Sequence, residues 1–441
     1  MAHAQRIALR QQLTSLVPAA RVRSRARELG VVVRERRVDI VALVWALALG
    51  FGAGSERTIA GLRRAFGRAT RVHLVPSAFY DRFTPALARL MKTLVADVLD
   101  AIVPPAHALC GEFAAFRDVL AIDSTVIRLH DLLAKSFAAC RTNHTLAAAK
   151  FHVVMNVAGR GLRSVKLTGE RVHDGPVLRA GPWVRGKLLL FDLGYYRFQL
   201  FDRIAQEGGY FLSRLKDGAN PIITAVYRTE GGRGVALVGE RLQDVLGRLR
   251  RPVLDVEVEV TFRRRAYKGS RHGARARFRL VGVRNEASGR YHLYLTNVPP
   301  ETLPAERVAA LYAARWCVEL LFREWKQSYR LDDLPSSKRH VVETLLYASI
   351  LTLAASRALH RAIAARRKKL AHRLPEERWA AVFAVVALDL LRVLVGASAR
   401  RRELAREVER FLCHEAIDPN VGRRLLLQRV GSGAALWKKV A

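Results

Sequence analysis

The chain has 441 residues, long enough to bury a large core, and carries 75 Lys and Arg against 39 Asp and Glu for a formal net charge of +36. Half of its residues are hydrophobic, which excludes a disordered polycation and points to a folded protein with a polyanionic partner; nucleic acid is favoured over a ribosomal or membrane-surface role and over mere Arg-rich composition. Four dispersed cysteines, Cys110, Cys140, Cys317 and Cys413, exclude a CxxC-type metal site and read as small hydrophobes in a reducing compartment.

In chain order, the opening residues include Gln5, Arg6 and Arg10 and lack the apolar stretch of a signal peptide. Residues 1–112 read as a helical DNA-binding region. The apolar run 40–51 is too short to span a membrane. Ser55 is a candidate N-cap for SERTIAGLRRAF, and Pro76 opens a second helix reaching 102. With the short basic connection 67–75 between them, these two fit either a helix-turn-helix reader of duplex DNA or a plain helical bundle.

From Val119 the pattern becomes β-like. VLAID, KFHVVMNV and LRSVKLTG, with a turn at 159–161, read as an antiparallel meander. KLLLFD then ends at Asp192, a helix covers 197–207, and YFLSRL is a further strand, so 113–214 is the first part of an α/β core with a mixed sheet. Residues 215–300 read as a β-rich insertion with one basic face built from Arg263, Arg264, Arg265, Lys268, Arg271, Arg275 and Arg277. After Pro304 one long helix runs to about Arg330, and 301–345 completes the core. The remainder, 346–441, is helical and basic, with clusters at 366–369 and 400–402; the apolar run 379–396 holds Asp389 and Arg392 and reads as a core helix.

Helical periodicity places Arg315, Glu319, Arg323 and Lys326, with Tyr312, on one face of that long helix, opposite an apolar stripe of Leu311, Ala314, Val318, Leu321, Phe322 and Trp325. A carboxylate framed by cations suits phosphate chemistry, whereas a solvated face with a Glu319 to Arg323 salt bridge is the plainer reading. Asp123 and Asp192 both lie where apolar strands end. Each alone is an ordinary turn or capping residue. Together with Glu319, in so basic a chain, they suggest three carboxylates converging on two Mg²⁺ ions, with Mn²⁺ able to substitute. His173 and Asp174 precede a short helix, and Asp174 reads as its N-cap.

Tyr312, Arg315, Glu319 and Lys326, spaced by two, three and six residues, resemble the YREK signature of bacterial transposases of the insertion sequence four family. Asp123 in its Asp-Ser-Thr setting and Asp192 in Asp-Leu-Gly-Tyr-Tyr resemble that family's first two acidic residues, and the likeness covers roughly 50–345. The resemblance implies a ribonuclease H-like core interrupted by a β-rich insertion and flanked by helical regions. It also implies a cut-and-paste transposase in which Asp123, Asp192 and Glu319 are catalytic metal ligands, while Tyr312, Arg315 and Lys326 position end phosphates with help from Arg323. The implied partner is double-stranded DNA, bound by a homodimer in the synaptic complex, with no membrane, in the bacterial cytoplasm or nucleoid. Tyr291 and His292 are candidates for stacking on a displaced base. The other reading is a catalytically inactive or domesticated DNA-binding descendant; a metal-dependent nuclease of unrelated purpose is a third.

Overall fold

A computed structural model describes residues 9–33, 38–102, 109, 111–140, 144–227, 236–263, 273–396 and 398–418. Gln5, Arg6, Cys110, Arg264, Arg265, Lys268 and Arg271 lie outside the described residues, as do 419–441 and the side chains of Lys368, Lys369 and Arg400.

Leu-, Val- and Phe-rich segments form one nine-stranded mixed sheet. Its strands are β1 (Asp118–Leu129), β2 (Ala147–Asn156), β3 (Gly161–Gly169), β4 (Lys187–Phe191), β5 (Tyr210–Arg214), β6 (Ile222–Val226), β7 (Val253–Arg263), β8 (Gly273–Arg284) and β9 (Tyr291–Thr296). They lie in the order β3-β2-β1-β4-β5-β9-β8-β7-β6. β4 is parallel to both β1 and β5, and the remaining pairs are antiparallel. The parallel strands are apolar on both faces, because each face is covered. Leu188 and Leu190 join the larger core under the helical flanks, while Leu189 and Phe191 join a second core on the opposite face.

The strands of 215–300 do not close on themselves. β9 pairs with β5, so they prolong the central sheet. The junction is tightly bonded: Thr296 Oγ1 donates to Phe211 O at 2.5 Å, and the Asn297 side chain bonds both Phe211 N and Gly209 O at 2.8 Å. Arg279, buried in β8, forks onto Asp255 of β7 with two 2.7 Å bonds and donates to Leu303 O, which fixes the chain as it leaves the sheet. Among the described residues, the expected basic face carries acids as well as cations. Arg275 and Arg277 are exposed on β8, but Glu259 and Glu257 of β7 stand beside them at 3.6 and 3.7 Å.

The N-terminal flank holds α1 (Leu9–Leu16), α2 (Ala19–Glu28), α3 (Ile40–Ala46), which runs into a π-helical turn at Leu47–Gly52, α4 (Ile59–Thr70), α5 (Pro76–Tyr80) and α6 (Pro85–Ala101). Thr58 rather than Ser55 caps α4, accepting from Gly61 N. The helix expected over 76–102 is two helices, because Thr84 caps a new start and Pro85 takes its first position. Leu87, Leu90, Met91 and Leu94 of α6 are buried against α12 (Arg339–Arg366), so α6 serves the bundle. The π-turn also packs on α12. A Cβ on Gly52 would stand 2.0 Å from Thr352 Oγ1, and glycine alone permits that approach.

Within and after the sheet come α7 (Asp174–Val177), α8 (Phe198–Gln206), α9 (Leu242–Leu246), α10 (Ala305–Ala313), α11 (Trp316–Gln327), then α12, α13 (Glu376–Val395) and α14 (Ser398–Glu415). The single helix expected from Pro304 to Arg330 is therefore broken. At Ala314 and Arg315 the backbone bonds tighten to three-residue spacing, as in Arg315 N to Tyr312 O and Val318 N to Arg315 O. The apolar run 40–51 is buried core, as expected, whereas 379–396 buries one face, through Trp379, Phe383, Leu390 and Leu391, and leaves Val385 71% exposed. α12, which the sequence reading passed over, is the one described helix long and apolar enough to cross a membrane; 89% of its apolar window is buried within the protein.

Candidate active site

Ile122 pairs with Phe191 across the parallel β1–β4 ladder, so Asp123 and Asp192 follow at the same level. β4 stops there because Asp192 turns the chain: its Oδ2 accepts from Gly194 N at 3.3 Å and caps the tight turn Leu193–Tyr195. β1 does not stop. Asp123 sits inside a strand that continues to Leu129 along β2, and only its parallel neighbour has ended. The rim expected from the sequence is thus made by β4 alone.

α11 packs on β1 and brings the third acid. Arg315, at the break before α11, donates to Asp123 Oδ2 at 3.1 Å and to Glu319 Oε1 at 2.5 Å. Asp123 and Arg315 are 15% and 12% exposed and Glu319 is 32% exposed, so the cluster opens to solvent at Glu319. Burial, with the charges of Asp192 and Glu319 adding to it, pushes Asp123 up to about 7 against the opposing Ser124 N–H and Arg315. Asp192 and Glu319 are thus both near enough to act on Asp123 electrostatically. The three acids are not gathered into a ligand set: among the described residues no three Asp, Glu, His or Cys side chains are grouped so as to hold a metal ion, and the Arg315 guanidinium lies between Asp123 and Glu319.

The row of polar residues expected on one helix face is divided by the break and by neighbouring backbone. Tyr312 is buried. Its hydroxyl donates to Phe191 O at 3.1 Å, which supports the end of β4, and the Arg315 guanidinium lies 5.7 Å from its ring centre. Lys326 is half-buried and donates to Val126 O at 2.8 Å, which latches α11 to β1; burial lowers its pKa. Arg323 remains exposed, one turn beyond Glu319. Tyr291 donates to Arg251 O at 2.5 Å, and His292 is exposed on β9, separated from β1 by β4 and β5, so neither joins the acids.

Asp174, read from the sequence as an N-cap, and Lys150, His152 and Tyr195, which the sequence did not single out, cluster near these acids. Asp174 is the first residue of α7, after an N-cap at His173, and stands 3.4 Å from Lys150 Nζ and 3.2 Å from His152 Nδ1. Burial works against its charge, but the His152 hydrogen bond, the Lys150 charge and a Ser124 hydrogen bond hold its pKa below the usual value. Burial, then the charges of Asp174, Asp123 and Asp192, raise the Tyr195 phenol. The available signal was Lys150 and His152 alternating in an otherwise apolar strand, since buried polar groups need partners. Trp316, next to Arg315, was also missed; it is 53% exposed, an unusual position for so large an apolar ring.

The family described as transposase DDE domain matches residues 114–354, more than half of the chain. The chain is 22% identical over 197 residues to the transposase for insertion sequence element IS231F of Bacillus thuringiensis subsp. israelensis, covering 38% of this chain and 40% of that one. It is 19% identical over 371 residues to the transposase for IS231B of Bacillus thuringiensis subsp. berliner, covering 74% of each. The chain thus spans about 40% of the length of the first curated relatives it matches. A solved piggyBac transposase synaptic complex with hairpin DNA covers 95% of this chain and 87% of that one, at 11% identity and a TM-score of 0.46, a likeness too slight to carry an argument.

Proposed function

The chain belongs to the transposase DDE domain family, and on that premise we propose that it is the transposase of an insertion sequence, cutting the element ends and joining them to target DNA at Asp123, Asp192 and Glu319. The observation that carries this reading is the meeting of β1, the end of β4 and the start of α11 at Arg315, which bridges Asp123 and Glu319 beside Asp192. Nothing in a purely structural ion pair requires a third acid at that level.

The donor set suits Mg²⁺ or Mn²⁺ in kind, being three carboxylates, two of which act on a buried third. In this reading Asp123, Asp192 and Glu319 would hold the cations, with the positions that Arg315 now occupies between two of them made available. Bound cations supply Lewis-acid stabilisation of the charge developing on the phosphate. The protein does the rest. Tyr312 steadies the end of β4, Lys326 latches α11 to β1, and Arg315 and Arg323 meet phosphates of the strand being cut. Water attacks the phosphorus at the element end and a 3′-hydroxyl leaves; that hydroxyl then attacks a target phosphodiester and displaces a second 3′-oxygen, so bonds made and broken balance.

The four residues Tyr312, Arg315, Glu319 and Lys326 support placing the chain in the YREK group of the insertion sequence four family. The order β3-β2-β1-β4-β5, antiparallel then parallel, supports a ribonuclease H-like core. The net charge of +36 supports duplex DNA as partner, bound by two copies in a synapse in the bacterial cytoplasm.

The deciding experiment incubates the protein with DNA carrying the native ends and Mg²⁺ and maps the cuts. Glu319→Gln is expected to abolish cleavage while DNA binding stays near wild type. Cleavage at the wild-type rate by that variant removes Glu319 from the site and this reading with it.

A further inference from the structure

Asp174 has no role in the arrangement so far, and no helical reason accounts for it. α7 is four residues long, and its N-cap position is taken by His173, not Asp174. What surrounds it is unusual. Lys150 Nζ and His152 Nδ1, on residues 9% and 5% exposed in β2, stand 3.4 and 3.2 Å from its Oδ1, while Lys150 donates to Val172 O at 3.0 Å and His152 bonds Thr168 Oγ1 at 2.9 Å and Tyr195 OH at 3.1 Å. A buried lysine is costly to desolvate, and Asp174, 3.4 Å from its Nζ, is the anion that offsets it.

Its other oxygen faces the turn that carries Asp192. A Cβ on Gly194 would stand 2.9 Å from Asp174 Oδ2 and 3.8 Å from Asp192 Oδ2. Gly194 is not among the residues with positive φ, so its backbone could accept any side chain. The missing Cβ matters because it leaves room for Asp174. The N–H of the same glycine holds the Asp192 carboxylate.

We propose that Asp174 is a positioning residue for Asp192: held by Lys150 and His152 through Oδ1, it packs through Oδ2 on Gly194 and fixes the turn that presents the Asp192 carboxylate towards Asp123 and Glu319. This rests on the reading of Asp192 as a metal ligand. The partners that orient ligands set metal affinity, commonly by about 10- to 100-fold.

The test compares wild type with Asp174→Ala, Gly194→Ala, the double variant and Asp192→Asn. It measures Mn²⁺ bound to the protein–DNA complex by electron paramagnetic resonance, the Mn²⁺ concentration for half-maximal cleavage, and thermal melting. Asp174→Ala and Gly194→Ala are each expected to weaken Mn²⁺ binding and to raise the half-maximal concentration by roughly tenfold, with saturating Mn²⁺ restoring most of the cleavage. Once Asp174 is shortened the added methyl keeps only an ordinary 3.8 Å contact with Asp192 Oδ2, so the double variant should be no worse than Asp174→Ala. Should Asp174→Ala melt early through loss of the partner of Lys150, Gly194→Ala leaves that pair intact and decides alone. Wild-type Mn²⁺ affinity in Gly194→Ala, or additive losses in the double variant, overturns the inference while a Mn²⁺ defect in Asp192→Asn preserves the reading of the site. Undiminished Mn²⁺ affinity in Asp192→Asn overturns both.

Discussion

His360 lies between α12 and α13, its ring 5.1 Å from Trp379 and its Nε2 donating to Leu374 O at 3.0 Å. Burial, the largest influence, pulls the imidazole down to about 4 from 6.5, so the folded protein keeps it neutral. Because the folded value is depressed, its contribution to stability is complete above 6.5 and is lost as pH falls towards 4. At about 1.4 kcal/mol per pH unit this amounts to roughly 3 kcal/mol. His360→Gln retains a donor for Leu374 O and should flatten the dependence of stability on pH between 6.5 and 4, as read by urea unfolding at a series of pH values; an unchanged slope would assign acid sensitivity to other groups. At the same scale, composition and spacing singled out Asp123, Asp192, Glu319 and Arg315 before any coordinates. They gave Asp174 only a capping role, because its neighbours are two side chains of β2 and one glycine after β4, all distant in sequence.

α11 is held on three sides. Lys326 bonds the β1 carbonyl of Val126, the Trp325 ring lies 5.0 Å from that of Phe151 on β2, and buried Glu324 pairs with Arg357 of α12. α11 is thus part of both the sheet and the bundle, and its angle on β1 sets where Glu319 points. Lys326→Met removes one hydrogen bond and keeps most of the apolar stem. It should cost about 1 kcal/mol in stability. Cleavage should fall by much more, about tenfold or beyond, because small displacements of a reacting group are costly. Parallel measurements of chemical denaturation and single-turnover cleavage separate the two; proportionate losses would mean that Lys326 is only a stabilising contact. The amphipathic pattern located this helix correctly but not its break at Ala314 and Arg315. Periodicity counts residues at a fixed angle and does not register a local tightening of the backbone imposed by packing.

Across the whole molecule, the sheet passes without interruption from β3 to β6, and 215–300 is bonded into it through Thr296, Asn297 and Arg279. Replacing that segment with a short linker should bare the edge of β5 and the rings of Phe211 and Phe198, which lose Phe278 and Phe262, giving an aggregating or molten protein. A monodisperse product with native circular dichroism would mean instead that the segment is a separable module. The sequence by itself determined the strand and helix types, the basic character and the acids of the candidate site, because alternation, helical spacing and charge are local properties written residue by residue. Only the tertiary structure decided that β9 closes onto β5, that Lys326 and Tyr312 turn inward to backbone carbonyls, and that Arg315 stands between two acids. Those outcomes depend on which surfaces meet across long sequence separations, where burial and hydrogen-bond satisfaction outweigh local preference.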